Sequence, residues 1–319
     1  MTRPLVEPDR STASGVSVTP DADPPASTVR PRWLAYAALA LAVGAIAWVP
    51  LLIRWAAIPG PASAFYRVFI AATVLVPWLA VRRRFSPPGR RAVLVAIGGG
   101  VCFGLDLALY NTAVLRTAAA TAAFLGNNTP VFVGLGAWWL FRRRPPGAFW
   151  GGLALALSGG AIMILSDAWG HTTVGDPVGD VLALIAGIFF AGYLLSAEHL
   201  RADMDTLTFN TLAIVGSVVT LLAVCLLMGM PLSGYSVGTW AALAGLGLIS
   251  QLGAYFALVY ALGHLPATVT SVGLLTQLPL TAVLAMVFLR EPVTAAQAAG
   301  GLLLIAGVWV VNRRRIPNP

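Results

Sequence analysis

Of the 319 residues in this chain, 58% are hydrophobic and only 10% are charged, with a mean hydropathy of +0.82. Soluble globular domains carry about 25% charged residues, so most of this chain has lipid as its solvent. The net charge of +8 does not indicate a nucleic-acid partner, because all the basic residues are arginines in short clusters beside apolar runs, a membrane-topology pattern.

Residues 1–32 are polar and rich in Pro, Ser, Thr and Asp, and read as a disordered cytoplasmic tail with no secretory signal. Ten apolar segments follow, at about 33–53, 62–81, 92–115, 117–141, 147–166, 179–197, 206–229, 237–262, 267–289 and 294–312. At about 1.5 Å per residue each spans a hydrocarbon core of roughly 30 Å. From Thr206 to Leu289 no Asp, Glu, Lys or Arg occurs, a run of 84 residues that holds several crossings. With the N-terminus inside and ten crossings, sixteen arginines fall on the inner side, among them Arg82, Arg142 and Arg313. Four, Arg54, Arg67, Arg116 and Arg290, fall at the outer side. That positive-inside bias predicts an all-α cell-membrane protein with both termini cytoplasmic. Trp33, Trp55, Trp78, Trp139, Trp150, Trp240 and Trp309 lie near predicted span ends, as interfacial anchors do.

The chain repeats itself at an offset of 149. Gly98, Gly104, Ala118, Thr121, Leu125, Pro130 and Gly152 recur as Gly247, Gly253, Ala267, Thr270, Leu274, Pro279 and Gly301, within 14 identities over 58 positions. Each half, 33–166 and 178–312, holds five spans. An odd number inverts the second copy in the membrane, and inverted repeats place a substrate site at their interface near the midplane.

Candidate site residues follow in chain order. Arg67, toward the outer end of the second span, either pairs with a substrate carboxylate or snorkels to the interface. Asp106 lies inside the third span, where a carboxylate costs about 2.5–3.5 kcal/mol to insert. It therefore faces a cavity or a partner, and is expected to couple transport to protons or to orient a cationic group of the substrate. A structural hydrogen bond between helices is the alternative. Tyr110 is one turn away and Asn111 adjoins it. Asn127 and Asn128 precede Pro130 in the fourth span, and Thr276 and Gln277 precede Pro279 in the ninth. A mid-span proline frees a carbonyl one turn back, which polar neighbours satisfy or present to a ligand. Their matching repeat positions predict a symmetric lining of one cavity, with Asn128 and Gln277 each two residues before its proline. Gln251 and Tyr255 in the eighth span, the latter the repeat mate of Asp106, are expected on the same wall. The glycine clusters at 98–100, 151–152, 159–160 and 300–301 are expected to permit close helix packing.

Cys102 and Cys225 lie in apolar runs and suggest neither a disulfide nor a metal site. No phosphate-binding loop, nucleophile elbow or paired metal-ligand spacing occurs. No cofactor is implied beyond proton coupling, and the expected partners are a small-molecule substrate and the lipid bilayer. Transport is the reading favoured over a membrane-embedded enzyme or an accessory subunit.

The two five-span halves, with prolines in the fourth and ninth spans followed by Arg144-Pro145 and Glu291-Pro292, resemble the EamA-type branch of the drug/metabolite transporter superfamily. Phe103-Gly-Leu-Asp106-Leu-Ala-Leu-Tyr110 and Thr121-Ala-Ala-Phe-Leu-Gly-Asn-Asn-Thr-Pro130-Val-Phe-Val are similar to a bacterial subgroup within it. The resemblance covers about residues 33–312. It departs from the family at Arg144-Pro145, where an acidic residue usually precedes the proline, as Glu291 does in the second half. The resemblance implies a cytoplasmic-membrane permease, most often an exporter of amino acids or related metabolites. Such a permease is proton-driven or facilitative and works by alternating access.

Overall fold

The computed structural model describes residues 32–81, 89–116, 122, 125–142, 144–168, 176–289 and 295–313, and every regular element among them is a helix. In hydrocarbon each backbone polar group must find its partner within the segment, which leaves the helix as the form these apolar runs can take. Along the chain the helices are α1 (Arg32–Ile46), α2 (Val49–Ala56), α3 (Gly60–Val81), α4 (Arg90–Arg116), α5 (Thr129–Phe141), α6 (Gly147–Ala168) and α7 (Pro177–Leu200). They continue as α8 (Thr206–Leu227), α9 (Val237–Gly245), a π-helical segment (Leu246–Ala254), α10 (Tyr255–His264), α11 (Ala267–Leu274), α12 (Gln277–Leu289) and α13 (Ala295–Arg313).

Seven helical runs are long and apolar enough to cross a bilayer: Trp33–Ala56, Gly60–Val81, Arg90–Arg116, Pro177–Leu200, Thr206–Leu227, Val237–His264 and Ala267–Phe288. Three shorter apolar helices, Thr129–Leu140, Gly147–Ile162 and Ala298–Val311, fall within the fourth, fifth and tenth predicted spans. Most of 117–124, the start of the fourth, lies outside the described residues, as do Arg143, Glu291 and the tail before Arg32. Large apolar side chains such as Leu227, Leu302 and Val219 point outward, as do all seven predicted anchor tryptophans. An apolar exterior of this extent suits lipid and not water.

Small residues bring the helix backbones together. Helix α4 packs along α7 and α8, α3 packs on α8, and α6 runs along α13. The α9–π–α10 run packs against α1 and α3. At the α4–α8 crossing, a Cβ on Gly104 would lie 3.2 Å from the Ser217 Cα, and Ser217 Oγ donates to the Gly100 carbonyl at 2.8 Å. At the α6–α13 crossing, a Cβ on Gly307 would lie 2.5 Å from the Gly152 carbonyl oxygen. Transmembrane helices associate largely by such close packing, since lipid removes the hydrophobic drive between them. Gly98 and Gly151, of the same clusters, face open space instead.

Candidate functional site

Three spans break where the site lies, and sequence chemistry accounts for each break. Pro50 has no amide hydrogen to give Ile46, so the first span turns at Ala47 and Trp48 and restarts as α2. Pro130 likewise leaves the Gly126 carbonyl without its backbone donor, and the Thr129 hydroxyl supplies one at 2.9 Å. Before Pro279 the chain tightens, with Leu275, Thr276 and Leu278 each donating to the residue three back at 3.0–3.1 Å. In the eighth span the π segment, Leu246–Ala254, changes the helical phase ahead of Tyr255.

A cavity of about 100 Å³ lies among these breaks. One water needs roughly 10–15 Å³ of such space, so the cavity holds several waters or a small solute. Its wall takes Ile46, Val49 and Pro50 from the first break, Arg67 from α3, and Asp106, Leu107 and Tyr110 from α4. Gly126, Asn127 and Thr129 come from the break before α5, Phe190 from α7, and Tyr255 from α10. Leu274, Gln277, Leu278 and Thr281 come from α11 and α12. Across it, Gln277 Nε2 donates to Asn127 Oδ1 at 2.7 Å, and Thr281 Oγ1 donates to the Ala47 carbonyl at 3.2 Å.

Two opposite charges face this space. Arg67 is only 2% exposed and turned inward. Its Nε donates to Gln251 Oε1 at 3.0 Å, and its Cζ lies 5.2 Å from the centre of the Tyr255 ring, a cation–π arrangement. Arg67 Nη2 is buried and has no acceptor among the described residues. Asp106 is 8% exposed and close enough to feel the Arg67 charge, as are Tyr110 and Tyr255. Phe103 stacks against Tyr193 and Tyr255, with centroids 4.7 Å apart in each case, so an aromatic block holds the Tyr255 ring in place.

The model of the EamA-like transporter family matches residues 31–165 and, again, residues 177–313. The chain belongs to the EamA-like transporter family. It is therefore a multi-pass membrane transporter of small molecules and not an enzyme.

Curated relatives agree. The pseudopaline exporter of Pseudomonas aeruginosa is 28% identical over 263 residues, 82% of this chain and 88% of its own. A probable terminal-alkyne amino-acid exporter of Streptantibioticus cattleyicolor is 27% identical over 247 residues, 77% of this chain and 81% of its own. A transporter of Archaeoglobus fulgidus is 26% identical, across 79% of this chain and 87% of its own. One solved crystal structure superposes with a TM-score of 0.72 over 90% of this chain and 100% of its own, at 17% identity, which shows the shared fold alone.

Of the residues predicted from sequence, the transporter brings Asp106, Tyr110, Asn127, Tyr255 and Gln277 to the cavity wall and sets Gln251 behind Arg67. Others it places elsewhere, because successive helical residues point about 100° apart. Asn111 Nδ2 donates to Ser63 Oγ at 2.9 Å and ties α4 to α3. Asn128 Nδ2 reaches back to the Leu125 carbonyl at 3.3 Å, and the Thr276 hydroxyl to the Gly273 carbonyl at 2.7 Å. Asn127, beside Asn128, is the residue that accepts from Gln277. Pro130 and Pro279 shape the breaks without lining the space. The snorkelling alternative for Arg67 fails, since its guanidinium packs against protein.

Sequence reasoning passed over two features of the transporter. Pro50 carries the same helix-breaking signal as Pro130 but sits in an otherwise unbroken apolar run. Glu198, buried near the end of α7, accepts a hydrogen bond from the backbone N–H of Ala267 at 3.0 Å. A carboxylate there caps the first turn of α11 and offsets the positive end of its dipole. Glu198→Ala should lower stability by about 0.5–2 kcal/mol, measured by equilibrium unfolding in mixed detergent. Glu198→Gln, which keeps an acceptor, should lose less.

Proposed function

We propose that this transporter moves small polar metabolites, amino acids or related compounds foremost, across the cell membrane by alternating access at the central cavity. The observation that carries this reading is the pair of buried opposite charges, Asp106 and Arg67, on the wall of a space formed by helix breaks in both halves of the chain. Intramembrane ionisable groups are costly, and they face cargo, ions or partners when retained. The relatives named as exporters of pseudopaline and of a terminal-alkyne amino acid make amino-acid-like cargo the first to test and export the first direction. Proton coupling through Asp106 is the proposed energy source.

The architecture behind it is ten spans in two inverted repeats, 33–166 and 178–312, with residues 1–32 and the C-terminus cytoplasmic. The helix contacts support this arrangement. An axis exchanging spans one to five with six to ten maps the second on the seventh and the fifth on the tenth, and α3 packs on α8 and α6 on α13. It also maps the third-with-sixth contact onto the eighth-with-first, and α4 packs on α7 while the π segment and α10 pack on α1. Rocking of such halves about a midplane site exposes it to each side in turn.

The purified protein alone, reconstituted in liposomes, should catalyse counterflow of radiolabelled amino acids. Failure with a full panel of amino acids would remove the proposed cargo class and revive the role of accessory subunit. For topology, single cysteines at Arg143 and Asp176 should label from opposite faces; labelling from one face would exclude the ten-span arrangement.

A further inference from the structure

We propose that Arg67 is the anchor for a cargo carboxylate and Asp106 the anchor for a cationic group on the same molecule, so that the cavity reads zwitterions at two points. The proposal rests on the cavity being the transport site. Arg67 carries five N–H donors. Gln251, from the π segment, engages Nε, and the Tyr255 ring supports the guanidinium plane, which fixes the direction of the remaining donors. Nη2 has no acceptor among the described residues. A buried donor left unmet is costly, and a charged one more so.

Asp106 stands in the complementary condition. Its charge and that of Arg67 act on each other, yet no hydrogen bond or ion pair joins them among the described residues. Two charges kept only to hold helices together would close into direct contact, because that contact is what repays their desolvation. Here both residues line one cavity without touching each other. A carboxylate on the guanidinium and an ammonium on Asp106 would complete both groups with one molecule. Leu107, Phe190 and Leu274 supply an apolar flank for a small side chain. Nη2 itself is closed to water in this conformation, so the carboxylate completes it as the surrounding helices part. A solute with only one of the two charges leaves the other anchor unmet, which is the basis of discrimination.

The test uses three molecules of nearly equal shape, L-valine, isobutylamine and 3-methylbutanoate, titrated onto the detergent-solubilised full chain. Wild type should bind valine at least about tenfold more tightly than either single-charge probe, a difference of about 1.4 kcal/mol. Arg67→Gln should weaken valine and 3-methylbutanoate at least about tenfold and spare isobutylamine, while Asp106→Asn should weaken valine and isobutylamine and spare 3-methylbutanoate. Arg67→Lys keeps the charge without the planar fork, and should bind valine with an intermediate loss. It serves where the glutamine variant does not fold. Gln251→Leu, which frees the guanidinium, should narrow the preference for valine over isobutylamine without abolishing binding. Equal weakening of all three probes, a wild type that does not prefer valine, or one that binds none of them would overturn the two-point site. Valine counterflow that persists without any probe preference would overturn the anchors and keep the cavity; counterflow that survives a blocked cavity would remove the cavity itself.

Discussion

Gln277→Trp should reduce transport at least about a hundredfold, close to 3 kcal/mol in the rate-limiting barrier, while the protein still folds and inserts. Gln277 reaches across the cavity to Asn127 at 2.7 Å, and an indole in its place would take up much of a space of about 100 Å³. Asn127→Trp should block from the opposite wall. Gln277→Leu removes the hydrogen bond but keeps the volume small, and should lose far less activity. The readout is the initial rate of counterflow in proteoliposomes, with size-exclusion profiles to confirm folding. Full transport with either tryptophan in place would mean that cargo takes another path.

Asp106→Asn should abolish accumulation driven by an imposed pH gradient and also destabilise the protein. Asparagine imitates the protonated carboxyl, so the variant holds one limb of a proton-coupled cycle and should still exchange cargo, at cargo concentrations raised to offset its weaker binding of zwitterions. It also leaves Arg67 buried without its nearby negative charge, which destabilises the fold, though by less than breaking a contacting ion pair would. Arg67→Gln in the same chain should recover most of that loss, since the two changes act on one interaction and are not additive. Unfolding of the two single variants and the double variant measures the coupling, and pH-jump uptake measures the accumulation. Unchanged pH-driven accumulation would reduce Asp106 to a packing group, and additive stability losses would show that Arg67 and Asp106 act independently.

Much of the scaffold was legible because lipid imposes simple rules on a chain. Apolar runs, arginine clusters and the repeated proline before each half's last helix gave the helical class and the neighbourhood of the cavity. The finer geometry was not legible. Tyr110 and Asn111 are neighbours that both carry hydrogen-bonding groups, and only the phase of α4 against α3 decides that one faces the cavity and the other bonds Ser63. The same phase separates Asn127 from Asn128, and at the breaks a shift of one residue between the halves defeats the fixed offset of 149. Arg67 read as ambiguous because its partner Gln251 is 184 residues away, and sequence gives no depth for a lone arginine in an apolar helix. Pro50 carried a readable signal, a proline inside a predicted span, and should be weighed as Pro130 and Pro279 were. The Glu198 contact to Ala267 joins a span end to a half-helix start and depends wholly on tertiary placement.

Alternating access at this cavity is tested most directly by the sidedness of a single thiol within it. With Cys102 and Cys225 replaced by serine, Gln277→Cys should react with a membrane-impermeant thiol reagent in both right-side-out and inside-out vesicles, and cargo should protect it from both sides. Reaction from one side only, under every gradient and cargo condition, would contradict a site that opens to each face in turn.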